Sequence, residues 1–256
     1  MKNYEWGGDG NNSLDKFLVK KYVKDISSYD ELTSSATDIS LNAWKYVEAS
    51  WYNQWSSYLI ESMFNGHPKV IPAVGAIKGV DFFIDNCPLD LKVTYFPKSF
   101  LSQKLHDLYG CREIAHVKSQ AKNCGINYSK GANDEDLFLE IVSKLEEGKF
   151  QKELDEIMQN RARVIAQAKA NPEELIKYLY ENQGEMRFGA ENRLFVILAD
   201  VKHLELSWRL KRSTTLLAPI IKKYLDGFTK VLLRKIRFQF GGKSYESLAD
   251  TIFIEK

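Results

Sequence analysis

Six consecutive apolar residues, LFVILA at positions 194–199, restrict the folds open to this chain more than any other feature. A half-buried strand alternates apolar and polar residues, whereas an unbroken run suits a strand covered on both faces, as at the centre of a parallel or mixed α/β sheet. Elements that could complete such a sheet lie on both sides of the run. In residues 41–64, Trp44, Val47, Trp51, Trp55, Leu59 and Met63 recur at three and four, the period of an amphipathic helix, and Asn65, Gly66 and Pro68 end it. Three short segments rich in β-branched and aromatic residues follow at 70–74, 79–85 and 89–95, separated by turn formers; they read as a three-strand meander. Residues 99–109 read as a helix, and 134–182 are helical almost throughout, with Asn171-Pro172 as a helix start. A helix at 207–225 and a late strand at 236–240 complete the pattern. The polar first 40 residues read as a loose arm and loops with one short helix around 14–23. This order predicts one domain over 1–256 with a mixed α/β layer architecture. It places an N-terminal arm at 1–40, an α-helical insertion at 134–182 and a parallel crossover after the meander.

No apolar run approaches the roughly 18 residues of a membrane span, and the N-terminus lacks the apolar core and cleavage site of a signal peptide. The three cysteines, Cys87, Cys111 and Cys124, have no disulfide-framework spacing. These features predict a cytoplasmic protein. The net charge of +2 hides an asymmetry: residues 134–156 carry nine acidic and three basic side chains, residues 202–243 eleven basic and two acidic. The basic region suits a polyanion such as nucleic acid. Within it, KHLELSWRLKRSTT interleaves Trp208 with Lys202, Arg209, Lys211 and Arg212. On an α-helix, positions 208, 211, 212 and 215 share a face, making these residues with Thr215 candidate phosphate contacts, and Arg163, Arg187 and Arg193 are further candidates too diffuse to rank.

The chemistry concentrates in GVDFFIDNCPLDLKVTYFP, residues 79–97. With Asp85-Asn86 as a two-residue hairpin loop, Ile84 pairs with Cys87, Phe82 with Leu89 and Asp81 with Asp90. The period of two puts Asp81, Asp90 and Lys92 on one face and Val80, Phe82, Ile84, Leu89, Leu91 and Val93 on the other. Two opposed carboxylates, about 4.5–5.5 Å apart at Cβ, repel unless one is protonated or a cation neutralises both. Hard oxygen ligands of this kind suit Mg²⁺.

This hairpin resembles the active-site hairpin of the PD-(D/E)xK nuclease superfamily, the fold of many type II restriction endonucleases. Asp81 matches the first acid and Asp90-Leu91-Lys92 the (D/E)-x-K, over about residues 45–103; residues 194–225 match the remaining core elements. Val80 stands where the motif's name has proline. The resemblance implies a restriction-endonuclease-like mixed sheet flanked by helices, and Mg²⁺-dependent hydrolysis of double-stranded DNA, most naturally by a bacterial type II restriction enzyme. Under it, Asp81, Asp90 and the Leu91 carbonyl bind the metal, and Lys92 orients or helps deprotonate the attacking water. Glu61, or more weakly Glu48, is the supporting acid of the preceding helix; Gln103 is a further polar position after the third strand. A homodimer and a cognate DNA methyltransferase acting on the same site are implied partners, with the helical block serving dimerisation, as its acidic start favours, or DNA embrace.

Two rival readings keep the fold: a repair or phage-defence nuclease without a fixed recognition sequence, and a non-catalytic DNA-binding module. Asp200-Val201-Lys202 is a second D-x-K string, better explained as a strand terminus. His106, Cys111, His116 and Cys124 lack the paired spacing of a zinc finger. Gly-rich phosphate loops, nucleophile elbows and zinc-protease motifs are absent from the sequence.

Overall fold

The computed structural model describes residues 15–74, 79–182 and 191–256. The start of the expected N-terminal arm and Arg187 lie outside them. The polar region expected to be loops is largely helical. A π-helical segment, Asp15–Lys24, and α1, Tyr29–Ser34, lead into the long α2, Ala36–Asn65. Asp38 anchors the junction by accepting from Lys21 Nζ at 2.7 Å and Tyr22 Oη at 2.5 Å.

A mixed six-strand sheet forms the centre. The meander is present as β1, Val70–Pro72, β2, Phe82–Ile84, and β3, Cys87–Tyr95. After helices α3, Lys98–Tyr109, α4, Glu113–Asn123, α5, Asp134–Glu147, α6, Gln151–Ala170, and α7, Glu173–Asn182, the chain returns as β4, Arg193–Ala199. This strand runs parallel to β3 and is buried at every position, as its apolar run requires. A 3₁₀ helix, Leu204–Arg212, and α8, Thr214–Gly227, lead to β5, Arg234–Phe240, and β6, Lys243–Glu255. The sheet order is β1-β2-β3-β4-β6-β5.

Helix α4 and strand β6 have no counterpart in the sequence reading. β6 begins with the polar, charged KSYES and gains apolar character only at TIFI, so no period stands out over its length. The tight turn that starts it is legible, because Gly241 and Gly242 both take positive φ, 56° and 76°, as a two-residue hairpin requires. The helix expected over 207–225 is instead two helices. Tyr52 Oη donates to the Trp208 carbonyl at 2.9 Å, and the first segment winds as a 3₁₀ helix that ends at Ser213 before α8 begins.

Two cores lie on opposite faces of the sheet. One packs Ile60 and Phe64 of α2, with Leu217 and Ile221 of α8, against Phe82, Leu89, Leu194, Val196 and Ile252. The other packs Leu101 of α3, Ile165 of α6 and Leu179 of α7 against Phe195, Ile197, Phe238 and Phe253. The helical block 134–182 divides between clusters. Leu137, Ile141, Leu154 and Ile157 form a satellite cluster with Ile114 and Val117 of α4, whereas Val164 to Tyr180 belongs to the main core.

Helix α2 reverses the reading of its faces. Its buried residues are Ala49, Tyr52, Ser56, Ile60 and Phe64, while Trp44, Val47, Trp51 and Trp55 remain 42–63 % exposed. Both stripes have helical period; in the buried one Tyr52 reaches the Trp208 carbonyl, and Ile60 and Phe64 enter the core against the sheet. Phe64, fully buried and stacked 5.2 Å from Phe82, anchors this contact. Phe64→Ala should cost about 3–5 kcal/mol of unfolding free energy in a urea titration.

Candidate functional site

The β2–β3 hairpin has the register read from the sequence, with Phe82 opposite Leu89 and Ile84 opposite Cys87. Asp85 and Asn86 make its turn with φ of 48° and 60°. Beyond Phe82 the ladder becomes irregular. Asp81 N–H donates to the Leu89 carbonyl at 2.9 Å, and the next backbone donor of β3, Leu91 N–H, is taken at 2.7 Å by Asp81 Oδ2. The Asp81 carboxylate thus replaces a backbone acceptor where β2 runs out.

Asp90 is only 4 % exposed and sits where β3 first pairs with β4, opposite Arg193. Its Oδ1 accepts from Lys92 Nζ at 2.8 Å and its Oδ2 from Arg193 Nε at 3.1 Å. Arg193, 2 % exposed, also donates through Nη2 to Glu191 Oε2 at 3.0 Å and lies 5.0 Å from the Tyr180 ring. Tyr180 Oη in turn donates to the Glu191 carbonyl at 2.8 Å. Asn192 closes the floor, donating to the Pro88 carbonyl and accepting from Leu248 N–H. Gly79 has φ of 76°, and a Cβ there would come within 2.8 Å of Glu191 Oε1, so the strand lead-in must be glycine for Glu191 to keep its place.

Asp90, Glu191, Lys92 and Arg193 balance as two anions and two cations, leaving Asp81 outside the balance. Burial pushes its carboxyl above the ordinary range against the opposing Leu91 N–H; Asp90 and Glu61 add to the rise and Lys92 counters it. Glu61 is therefore within electrostatic reach of the hairpin. It is half-buried and accepts from Asn65 at 3.5 Å. Glu48 lies roughly 20 Å farther up α2 at 1.5 Å per residue. Gln103 lines a cavity of about 420 Å³ together with Lys98, His106 and Phe138, beyond the opposite end of β3.

Sequence reasoning singled out Asp81, Asp90 and Lys92 and left Arg193 unranked among scattered arginines; Glu191 it missed. The available signal was position: both flank the LFVILA strand, whose first residues must lie beside β3 in a parallel pair.

The basic segment lies at the other end of β4, about 20 Å from Arg193 at the strand rise. Lys202, Arg209 and Thr215 are exposed. Lys211 departs from its expected role. A 3₁₀ helix eclipses residues three apart, so Trp208 and Lys211 both point inward, and Lys211 Nζ donates to Asn53 Oδ1 at 2.7 Å. Arg209 and Arg212 flank the buried Trp208 ring at 5.3 and 5.5 Å.

Among the described residues no group of three or more His, Cys, Asp or Glu side chains is arranged to hold a metal ion, and no helix is long and apolar enough to cross a membrane. The chain matches no protein-family model, no curated protein and no solved structure.

The electrostatics yield two predictions. Because the Asp81 carboxyl titrates higher in the folded than in the unfolded chain, the folded state binds the proton more tightly, and the ionised group costs stability above that interval. Asp81→Asn, which keeps an oxygen for Leu91 N–H, should therefore raise Tm at neutral pH in the presence of chelator. The gain should vanish as the pH falls through the carboxylate range. Arg193→Met leaves the buried Asp90 and the half-buried Glu191 without their guanidinium and should cost about 3–5 kcal/mol in chemical denaturation.

Proposed function

We propose that the protein is a Mg²⁺-dependent endodeoxyribonuclease of the PD-(D/E)xK superfamily, acting on double-stranded DNA in the manner of a type II restriction enzyme. The observation that carries this reading is the hairpin itself: Asp81 tied to the β3 backbone at Leu91, directly beside a buried Asp90 that holds Lys92. The surrounding order supports it. An antiparallel β1-β2-β3 meander continues into a parallel β4, with α2 before the meander and α3 after it on opposite faces.

The donor set fits a hard divalent cation. Asp81 and Asp90 offer carboxylate oxygens, and Leu91, whose N–H turns to Asp81, has its carbonyl on the same side of an extended strand. Burial raises the Asp81 carboxyl, so a cation arriving beside it would favour its ionised form, and Asp90 keeps further lone pairs beside the two it gives to Lys92 and Arg193. When bound, Mg²⁺ supplies a Lewis acid that acidifies a water and offsets charge developing on the phosphoryl oxygens. Lys92, 47 % exposed at its side chain, orients that water and takes part in its deprotonation from its place on Asp90. Arg193 and Glu191 hold Asp90 in one rotamer, and Glu61 supports the site from α2. Lys202, Arg209, Arg212 and Thr215 supply phosphate contacts that position the duplex without reading its sequence. A homodimer brings two such sites to the two strands.

One observation favours a second reading, a DNA-binding module without catalysis: Arg193 already places a buried cation on Asp90. The two are separated by incubating an unmethylated phage DNA with the protein in Mg²⁺ or chelator, beside Asp90→Asn. Discrete fragments that need Mg²⁺ and fall by about a thousandfold or more in the variant are expected, the scale of losing a principal electrostatic catalytic group. A metal-dependent smear points to a nuclease without a fixed sequence. No cutting on several DNAs, with no Mg²⁺-dependent rise in Tm, leaves the binding module.

A further inference from the structure

The cavity of about 420 Å³ is lined by Lys98, where the chain has just left β3, and by Leu204 and Glu205, where it has just left β4. It lies away from the candidate nuclease site, since Tyr95, the last residue of β3, is about 17 Å along the strand from Asp90. We propose that this cavity binds an uncharged nitrogen heterocycle of nucleobase size that carries an amino group. The proposal does not rest on the nuclease reading.

Three observations lead to such a ligand. The first is topology. The chain leaves β3 through α3, which packs on the Phe195 face of the sheet, and leaves β4 through the 3₁₀ helix to α8, which packs on the Leu194 face. Connections that part in this way open a crevice beyond the carboxyl ends of the strands, the usual ligand site of open α/β sheets. The second is the lining. Leu101, Ile114, Phe138 and Leu204, each 2–8 % exposed, give an apolar floor. Ser102, Gln103 and His106, from one side of α3, line the same cavity, and among the described residues their side chains hydrogen-bond to no protein group. An apolar surface with a few free donors and acceptors is the composition of a small-molecule site, and the volume falls within the roughly 300–1,000 Å³ of such sites.

The third observation is charge. Arg161 gives two hydrogen bonds to Glu113, at 2.6 and 2.9 Å, and lies 3.7 Å over the Phe138 ring. Lys98 pairs with Glu135, and Arg112 with Asp134. Each lysine and arginine of the lining thus already holds a carboxylate, which disfavours an anionic ligand. The remaining acid, Glu205, is paired among the described residues with His203 at 3.4 Å, and a histidine is no permanent cation. An ammonium would be desolvated over the apolar floor with this one shared carboxylate to receive it, at a cost in free energy. A neutral amino group escapes that cost. It donates to Glu205, while the Gln103 carboxamide donates and accepts side by side along the edge of a heterocycle, and the floor takes the ring face.

The test is isothermal titration calorimetry of the full chain with adenosine, cytidine and guanosine, which carry the amino group, and with uridine, which lacks it. At least one amino-bearing nucleoside is expected to bind about tenfold or more tighter than uridine, the scale of a hydrogen bond to a charged acceptor. Glu205→Ala should remove that preference. Ser102→Phe, at an exposed position of α3, should fill the cavity and abolish binding, with far-UV circular dichroism to verify folding. Gln103→Leu weakens binding about fivefold or more should Ser102→Phe not fold. Competition with a short single-stranded oligodeoxynucleotide separates two sources of the same chemistry: displacement of the nucleoside assigns the base to a strand, and no displacement assigns it to a free small molecule, the site standing in both cases. No binding of any nucleoside overturns the proposal, as does uridine binding equally well, or benzoate or benzylammonium binding more tightly than the nucleosides. Binding unaffected by Ser102→Phe and Gln103→Leu places the ligand elsewhere and overturns it too.

Discussion

The buried pair between Asp90 and Arg193 is the constraint from which the candidate site is built. Both residues sit at the first rung where β3 and β4 run parallel, and both are almost wholly removed from water. A buried ion pair gains little unless its remaining donors and acceptors are occupied. Here Lys92 takes the second oxygen of Asp90, Glu191 takes a second nitrogen of Arg193, and Tyr180 packs by the guanidinium while bonding the Glu191 backbone. The same completeness fixes the orientation of Asp90 toward the hairpin. Asp81 is left as the carboxylate without a cation of its own.

That imbalance is local, but it depends on the whole sheet. Asp81 can reach the β3 backbone only because β2 stops at Phe82, and β2 stays in register because Phe82 and Leu89 are buried beneath α2. Arg193 reaches Asp90 only because the crossover through α3 to α7 returns β4 beside β3, its far face filled by Tyr180, Leu179 and Ile165. The site is thus a junction of two cores: one sets the hairpin, the other sets the strand that carries its counter-ion. An acidic side chain whose ionisation costs stability is a burden for a purely structural hairpin and an asset for one that receives a divalent cation.

Helix α2 illustrates a different limit. Its sequence holds two apolar stripes of the same period, one of tryptophans and one of Ala49, Tyr52, Ser56, Ile60 and Phe64. Periodicity reports that a face is apolar without saying which face the sheet receives. Tertiary contacts decided it: Tyr52 reaches the Trp208 carbonyl, and Ile60 and Phe64 enter the core with Phe82 and Leu89. Lys211 followed the same logic. It does share a face with Trp208, but that face is buried and its ammonium donates to Asn53.

What the sequence alone determined is whatever depends on neighbours a few residues apart. The Asp85-Asn86 turn, the register of Phe82 with Leu89, the nearness of Asp81, Asp90 and Lys92, and the double-sided burial of the LFVILA strand all follow from short-range geometry and the period of a strand. Only the tertiary structure decided which face of α2 is buried, that the polar β6 fills the place beside β4, and that Arg193 and Glu191 complete the charge balance around Asp90. Those outcomes turn largely on contacts between residues from about fifty to about a hundred and fifty positions apart, where solvent exclusion and the pairing of buried charges outweigh any local preference.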